Sequence, residues 1–141
     1  MMNKIRCKRI YEPSADTDGF RILVDRLWPR GIKKQNAEID LWAKEIAPSS
    51  ELRKWFSHEP ARFNAFQKQY MQELDNNSAS RKLVDVCRQE IRDHHVTLLY
   101  AAKNEQYNHA VVLKEWLDAF CFGFRFSISE AKIYSAFMQP E

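Results

Sequence analysis

Phe20-Arg21-Ile22-Leu23-Val24-Asp25-Arg26-Leu27 (residues 20–27) contains the run that decides the fold, three consecutive large aliphatic residues between polar ones. Successive side chains of a strand point to opposite faces, so a solid aliphatic run suits a strand covered on both sides. Trp28-Pro29-Arg30-Gly31 closes it. Pro29 pushes Trp28 towards extended geometry and Gly31 admits a positive φ, so the tetrapeptide is a shaped turn that presents Arg30. A second stretch of the same character, Val-Thr-Leu-Leu-Tyr-Ala-Ala, occupies residues 96–102.

Between and around these strands the spacing is helical. Residues 37–46 place Ile39, Trp42, Ala43 and Ile46 on one helical face, ended by Pro48. Ser50 is placed to cap a second helix with Leu52, Trp55 and Phe56 inward, and Pro60 suits the first turn of a third with the stripe Phe63, Phe66, Tyr70 and Leu74. Asn76-Asn77-Ser78 breaks the chain, and Ser80 opens a fourth helix with Leu83, Val84, Cys87 and Ile91 inward. A fifth follows residue 104 and carries Val112, Leu113, Trp116, Leu117 and Phe120. Residues 5–11 read as a short strand and 12–19 as a loop. Strands separated by helices predict a single α/β domain, a short, mostly parallel sheet flanked by helices in three layers.

Composition narrows the chemistry. The chain has 141 residues, 45% hydrophobic and 29% charged, with three glycines. Neither GxGxxG nor GxxxxGK[ST] can be written, so glycine-rich phosphate loops are excluded and no cofactor is expected. No apolar run approaches a membrane span, and the first residues lack a signal-peptide core, so a cytoplasmic address without membrane contact is the expectation. Cys7, Cys87 and Cys121 are odd in number and far apart, which argues against a disulfide framework. His94 and His95 are adjacent and diverge, His58 precedes Glu59-Pro60 rather than completing HExxH, and no metal site is expected. Net charge is +3, but residues 1–35 carry nine Lys/Arg against four Asp/Glu. That positive third offers an alternative function, phosphate-backbone binding through Lys4, Lys8 and Arg9 in a nucleic-acid-binding or regulatory protein.

In open α/β sheets ligands bind beyond the carboxyl ends of the strands. The first aliphatic strand ends in Asp25, Arg26, Trp28 and Arg30; the second ends in Lys103 and Asn104, before a helix that begins near Asn108 and His109. If the strands are neighbours, arginines, a lysine and a helix N-terminus converge, a combination that attracts phosphate or carboxylate. The leading expectation is an anionic or nucleotide-like small ligand held by Arg26, Trp28, Arg30, Arg53, Asn104, Asn108 and His109. Asp25 and Lys103 are the candidate catalytic groups. Quieter readings exist for several: an ion pair for Asp25, a core lid for Trp28, a helix cap for Asn108.

VDRLWPRG (24–31), LWAKEIAPSSELRKWFSHEPARFNAFQKQY (41–70) and VTLLYAAKNEQYNHAVVLKEWL (96–117) together resemble the YeaO-like branch of the bacterial family called domain of unknown function 488. The resemblance spans roughly residues 3–120 and emphasises the two strand ends with Pro48, Arg53, Trp55 and Phe56. Other branches carry a Cys-His-Arg triplet after the late strand, where this chain has Asn108, His109 and Ala110. Cysteine-based chemistry therefore does not transfer. Residues 1–120 form the expected domain. Residues 121–141 form an extension in which Phe122, Phe124, Phe126 and Ile128 alternate and Ser129 is placed to cap a short helix. Its aromatic part is the expected contact for a homo-oligomer.

Overall fold

The computed structural model describes residues 2–123. Among the described residues four parallel strands make the sheet: β1 (Ile5–Arg9), β2 (Phe20–Leu23), β3 (Leu41–Trp42) and β4 (Val96–Tyr100), in the order β1-β4-β2-β3. The two aliphatic strands are therefore direct neighbours, with Ile22 opposite Leu98 and Leu23 opposite Leu99. Four α-helices among the described residues accompany them: α1 (Ser50–Phe56), α2 (Phe63–Asn76), α3 (Ser78–Glu90) and α4 (His109–Phe122). Among the described residues no helix is long and apolar enough to cross a membrane.

The alternation along each strand sorts the core into two clusters. Ile5, Ile22, Val24, Val96, Leu98 and Tyr100 pack with the buried residues of all four helices. Leu23 and Leu99 face the other way and, with Ile10, lie beneath Trp28, Ile32, Ile39 and Trp42. One outer layer is thus helical and the other is the irregular segment between β2 and β3. α4 is the central helix: Val112, Leu113, Trp116, Leu117 and Phe120 are all buried, as their spacing predicts. Arg88 of α3 donates to the Phe120 carbonyl from Nε and Nη2 (3.1 and 2.8 Å), placing a cation on the negative end of the α4 dipole.

Residues 37–46 correct the reading from spacing, since no α-helix forms there. Buried Arg21 donates to the carbonyls of Glu38 and Ala37 (2.9 and 3.2 Å), and its own N–H donates to Asp40 Oδ2 (2.9 Å). These tertiary bonds hold the backbone open, with Glu38 at φ 51°, so Leu41 and Trp42 add to the sheet as β3. The apolar residues then divide: Ile39 and Trp42 join the smaller cluster, Ala43 and Ile46 the larger. Two caps also shift. Ser49, not Ser50, caps α1 by accepting from the Leu52 N–H, and Asn77 caps α3 through Ala79 N–H. Ser80 is instead buried inside α3, its hydroxyl donating to the Leu74 carbonyl (2.7 Å).

Gly19 sits where β2 enters beside β4, at φ 67°; a Cβ there would lie 2.0 Å from the His95 carbonyl oxygen. Only glycine lets the Phe20 N–H reach that same carbonyl at 2.9 Å and start the ladder. The alternation of Phe124, Phe126 and Ile128, and the helix expected after Ser129, lie outside the described residues.

Candidate functional site

β2 and β4 end side by side, and a cavity of about 400 Å³ opens beyond them. Its floor comes from Asp25, His109 and Asn108, its apolar wall from Trp28, Phe56 and Phe66, and its cationic edge from Arg26, Arg30 and Arg53. Tyr11, Leu27 and His58 complete the mouth. Each is held there by local structure with a definite cause.

The loop after β2 is fastened on three sides. Asp25 Oδ2 accepts the Ala101 N–H (3.0 Å), joining the ends of β2 and β4, and the Asp25 carbonyl accepts from Trp42 Nε1 (2.8 Å). Arg26 Nη2 donates to the carbonyls of Ala47 and Pro48, both at 3.2 Å, tying the loop to the segment that enters α1. The turn expected from Trp28-Pro29-Arg30-Gly31 has Gly31 at φ 79°. Tyr11 donates its hydroxyl to the Arg30 carbonyl (2.9 Å), and Trp28 donates Nε1 to the Ile32 carbonyl (2.7 Å). Trp28 also packs edge-on against Trp42, so the lid and the wall are one side chain.

α1 is anchored separately. Glu73 of α2 accepts from both the N–H and hydroxyl of Ser49 (2.8 and 2.6 Å). The helix ends with Ser57 and His58 both left-handed, at φ 46° and 57°, an unusual pair for residues with side chains. That reversal brings His58 back to the cavity that Arg53 also lines. Phe56 stacks on Phe66 at 4.3 Å and closes the wall behind them.

Electrostatically the cavity is lopsided. Three guanidinium groups face one carboxylate. Arg26 is bonded to backbone, whereas the Arg30 and Arg53 guanidinium groups have no hydrogen-bond or ion-pair partner among the described residues, and both residues are exposed. The positive end of the α4 dipole adds to this field. His109 Nε2 lies 3.0 Å from Asp25 Oδ1 and 3.1 Å from the Val24 carbonyl oxygen. Beneath it, burial raises the Tyr70 hydroxyl well above its ordinary range, with Glu73 and Asp25 adding to the effect, so it stays a donor to the Ile46 carbonyl (2.7 Å).

The structure does not bring every predicted residue to the cavity. Lys103 is exposed and outside its lining, and so is Asn104. Asn104 Oδ1 accepts the N–H groups of Gln106 and Tyr107, both at 2.9 Å, so its side chain shapes the turn leading into α4. Asn108 borders the cavity, but its amide is occupied: Oδ1 caps Val111 N–H and Nδ2 donates to the Asn104 carbonyl. Tyr11 and His58 were missed, because neither strand ends nor spacing point to them. The left-handed backbone at His58 has no signal in its residue type.

In the basic N-terminal third, Lys8 contacts both oxygens of Asp18 at 3.0 Å, and Arg9 donates to the carbonyls of Ala102 and Ala101. Burial pushes the Cys7 thiol up to about 12, with Asp118 assisting against Lys114, and Cys121 up to about 11. Burial likewise raises Cys87. All three are neutral thiols, unsuited to nucleophilic chemistry.

The sequence is similar to those of several known proteins. The profile of a family described as "Inactive DUF488-N3 subclade" matches residues 4–121. Uncharacterized protein YeaO of Escherichia coli strain K12 is 49% identical over 114 residues, covering 80% of this chain and 96% of that one. Uncharacterized protein Mb3100c of Mycobacterium bovis is 37% identical over 115 residues, covering 82% and 94%. Uncharacterized protein Rv3073c of Mycobacterium tuberculosis strain H37Rv matches to the same extent, 37% over 115 residues. No solved structure matches the chain significantly.

Proposed function

The chain belongs to the inactive DUF488-N3 subclade, and from that premise we propose that it binds a small anionic or nucleotide-like ligand without transforming it. The observation that carries this reading is the pair of guanidinium groups, Arg30 and Arg53, that have no partner among the described residues and border a cavity of about 400 Å³ beyond two parallel strands. Phosphate and carboxylate oxygens match guanidinium geometry, and the apolar wall of Trp28, Phe56 and Phe66 suits the flat or aliphatic body of such a ligand. The neutral state of the three thiols and the family's own description both favour binding over turnover.

Thermal-shift screening with inorganic phosphate, nucleotides and phosphorylated metabolites tests it. A ligand at ~100 times its dissociation constant adds ~2.7 kcal/mol to stability. The expected result is a shift in the native chain that disappears in the Arg30→Ala/Arg53→Ala double variant and persists in Lys103→Ala, whose side chain is outside the cavity. Shifts that survive the double variant would place the ligand elsewhere.

A further inference from the structure

His109 is the residue of the cavity whose chemistry ligand binding alone leaves unexplained. Its Nε2 stands between two acceptors, Asp25 Oδ1 at 3.0 Å and the Val24 carbonyl oxygen at 3.1 Å. A lone pair at Nε2 would face two oxygens that carry no hydrogen, so the ring hydrogen resides there. The hydrogen-bond direction is towards Val24, and Asp25 Oδ1, shut off from solvent, is left with the ring beside it and no hydrogen bond among the described residues. A buried carboxylate oxygen in that position is costly unless a positive charge accompanies it. Nδ1 makes no hydrogen bond to any described residue, and the ring borders the cavity. The one free site for a second proton is therefore Nδ1.

We infer that the cavity takes up an anion together with one proton, His109 becoming an imidazolium held between Asp25 and the bound anion. The inference rests on the binding reading above and specifies it: the preferred ligand is a full anion that presents an acceptor oxygen to His109 Nδ1 while Arg30 and Arg53 hold its other oxygens. Asp25 and the bound anion then share the imidazolium between them, so the proton and the anion each stabilise the other in the cavity.

The titratable and charged groups that line the cavity with the ring, or pack on it, define what else could titrate. Asp25, Arg26 and Arg30 come from the loop after β2, Arg53 and His58 from α1 and its end, Tyr70 from α2 and Tyr11 from beyond β1. Tyr70, at 6.4 Å between ring centroids, keeps its proton. His58 is the one rival histidine at the mouth.

Sulfate is the right probe, because it holds its charge across the range in which histidine changes its own. Calorimetric titration at about pH 5.5 and about pH 8.5 should show sulfate binding to the native chain about tenfold more weakly at the higher pH. Repeating the titration in buffers of different ionisation enthalpy should show proton uptake. His109→Gln keeps a donor beside Asp25 and should bind sulfate with no pH dependence, whereas His58→Gln should keep the native dependence. ¹⁵N spectra of the native chain provide a check that needs no variant: saturation with sulfate should convert the His109 Nδ1 signal to its protonated form. Sulfate binding that requires Arg30 and Arg53 but leaves Nδ1 unprotonated, or a pH dependence that vanishes in His58→Gln, overturns this inference and leaves the binding reading standing. Absence of sulfate binding at both pH values overturns the two together.

Discussion

Two places in this molecule gather several cations around one carboxylate, and they have opposite characters. On the sheet face away from the helices, Asp18 is buried between Lys8 (3.0 Å) and Arg21 (2.5 Å) and also accepts the Ala15 N–H (3.1 Å). Arg21 continues into the carbonyls of Ala37 and Glu38. Beyond the strand ends, Asp25 is bonded to backbone, while Arg30 and Arg53 stand open on the cavity. Charge count alone does not separate a structural cluster from a binding one. Partner count does: a network whose donors are satisfied internally holds the fold, and donors left open next to a cavity are available to a ligand.

The largest expected effect breaks the first cluster. Asp18→Asn leaves Lys8 and Arg21 without their counter-charge, a loss of about 3 kcal/mol in unfolding free energy measured by denaturant titration. An unchanged midpoint would remove Asp18 from its structural role. A smaller effect is expected from acid. Burial by itself would raise the Asp18 carboxyl, but the Ala15 N–H, Lys8 and Arg21 outweigh it and hold the group below its ordinary value of 3.8. A carboxylate depressed in the fold contributes stability above its unfolded value and loses it as pH falls through the folded one. Melting temperature should therefore decline below about pH 4, and the decline should be shallower in Asp18→Asn. The smallest effect belongs to the second cluster: Arg30→Ala and Arg53→Ala should each change stability by no more than about 0.5 kcal/mol. Tyr11 bonds the backbone of Arg30, not its side chain, so the turn survives that truncation. A large loss in either variant would make the two clusters alike and weaken the contrast between them.

Legibility in the sequence followed the same division. Ile22 to Val24 and residues 96–100 announced buried strands because apolar side chains on both faces leave no other economical arrangement. Arg30 stood out because nothing in packing asks for an arginine on a turn. Residues 37–46 misled, since helical spacing of Ile39, Trp42, Ala43 and Ile46 says nothing of Arg21, which reaches across from β2 and bonds their backbone open. Arg26 looked the same as Arg30 in sequence, yet its guanidinium is bonded to two carbonyls 21 and 22 residues away. His58 and Tyr11 reach the mouth only through the reversal after α1 and the neighbouring of β1 and β4.

By itself the sequence determined the α/β class, the two central strands, the central helix α4 and the turn that presents Arg30, because each depends on local periodicity or on one residue's backbone preference. Only the tertiary structure decided the strand order, the third layer made by an irregular segment, and which arginines are satisfied. Those depend on hydrogen bonds between residues far apart in the chain, and no local pattern encodes whether a distant carbonyl will arrive to meet a guanidinium.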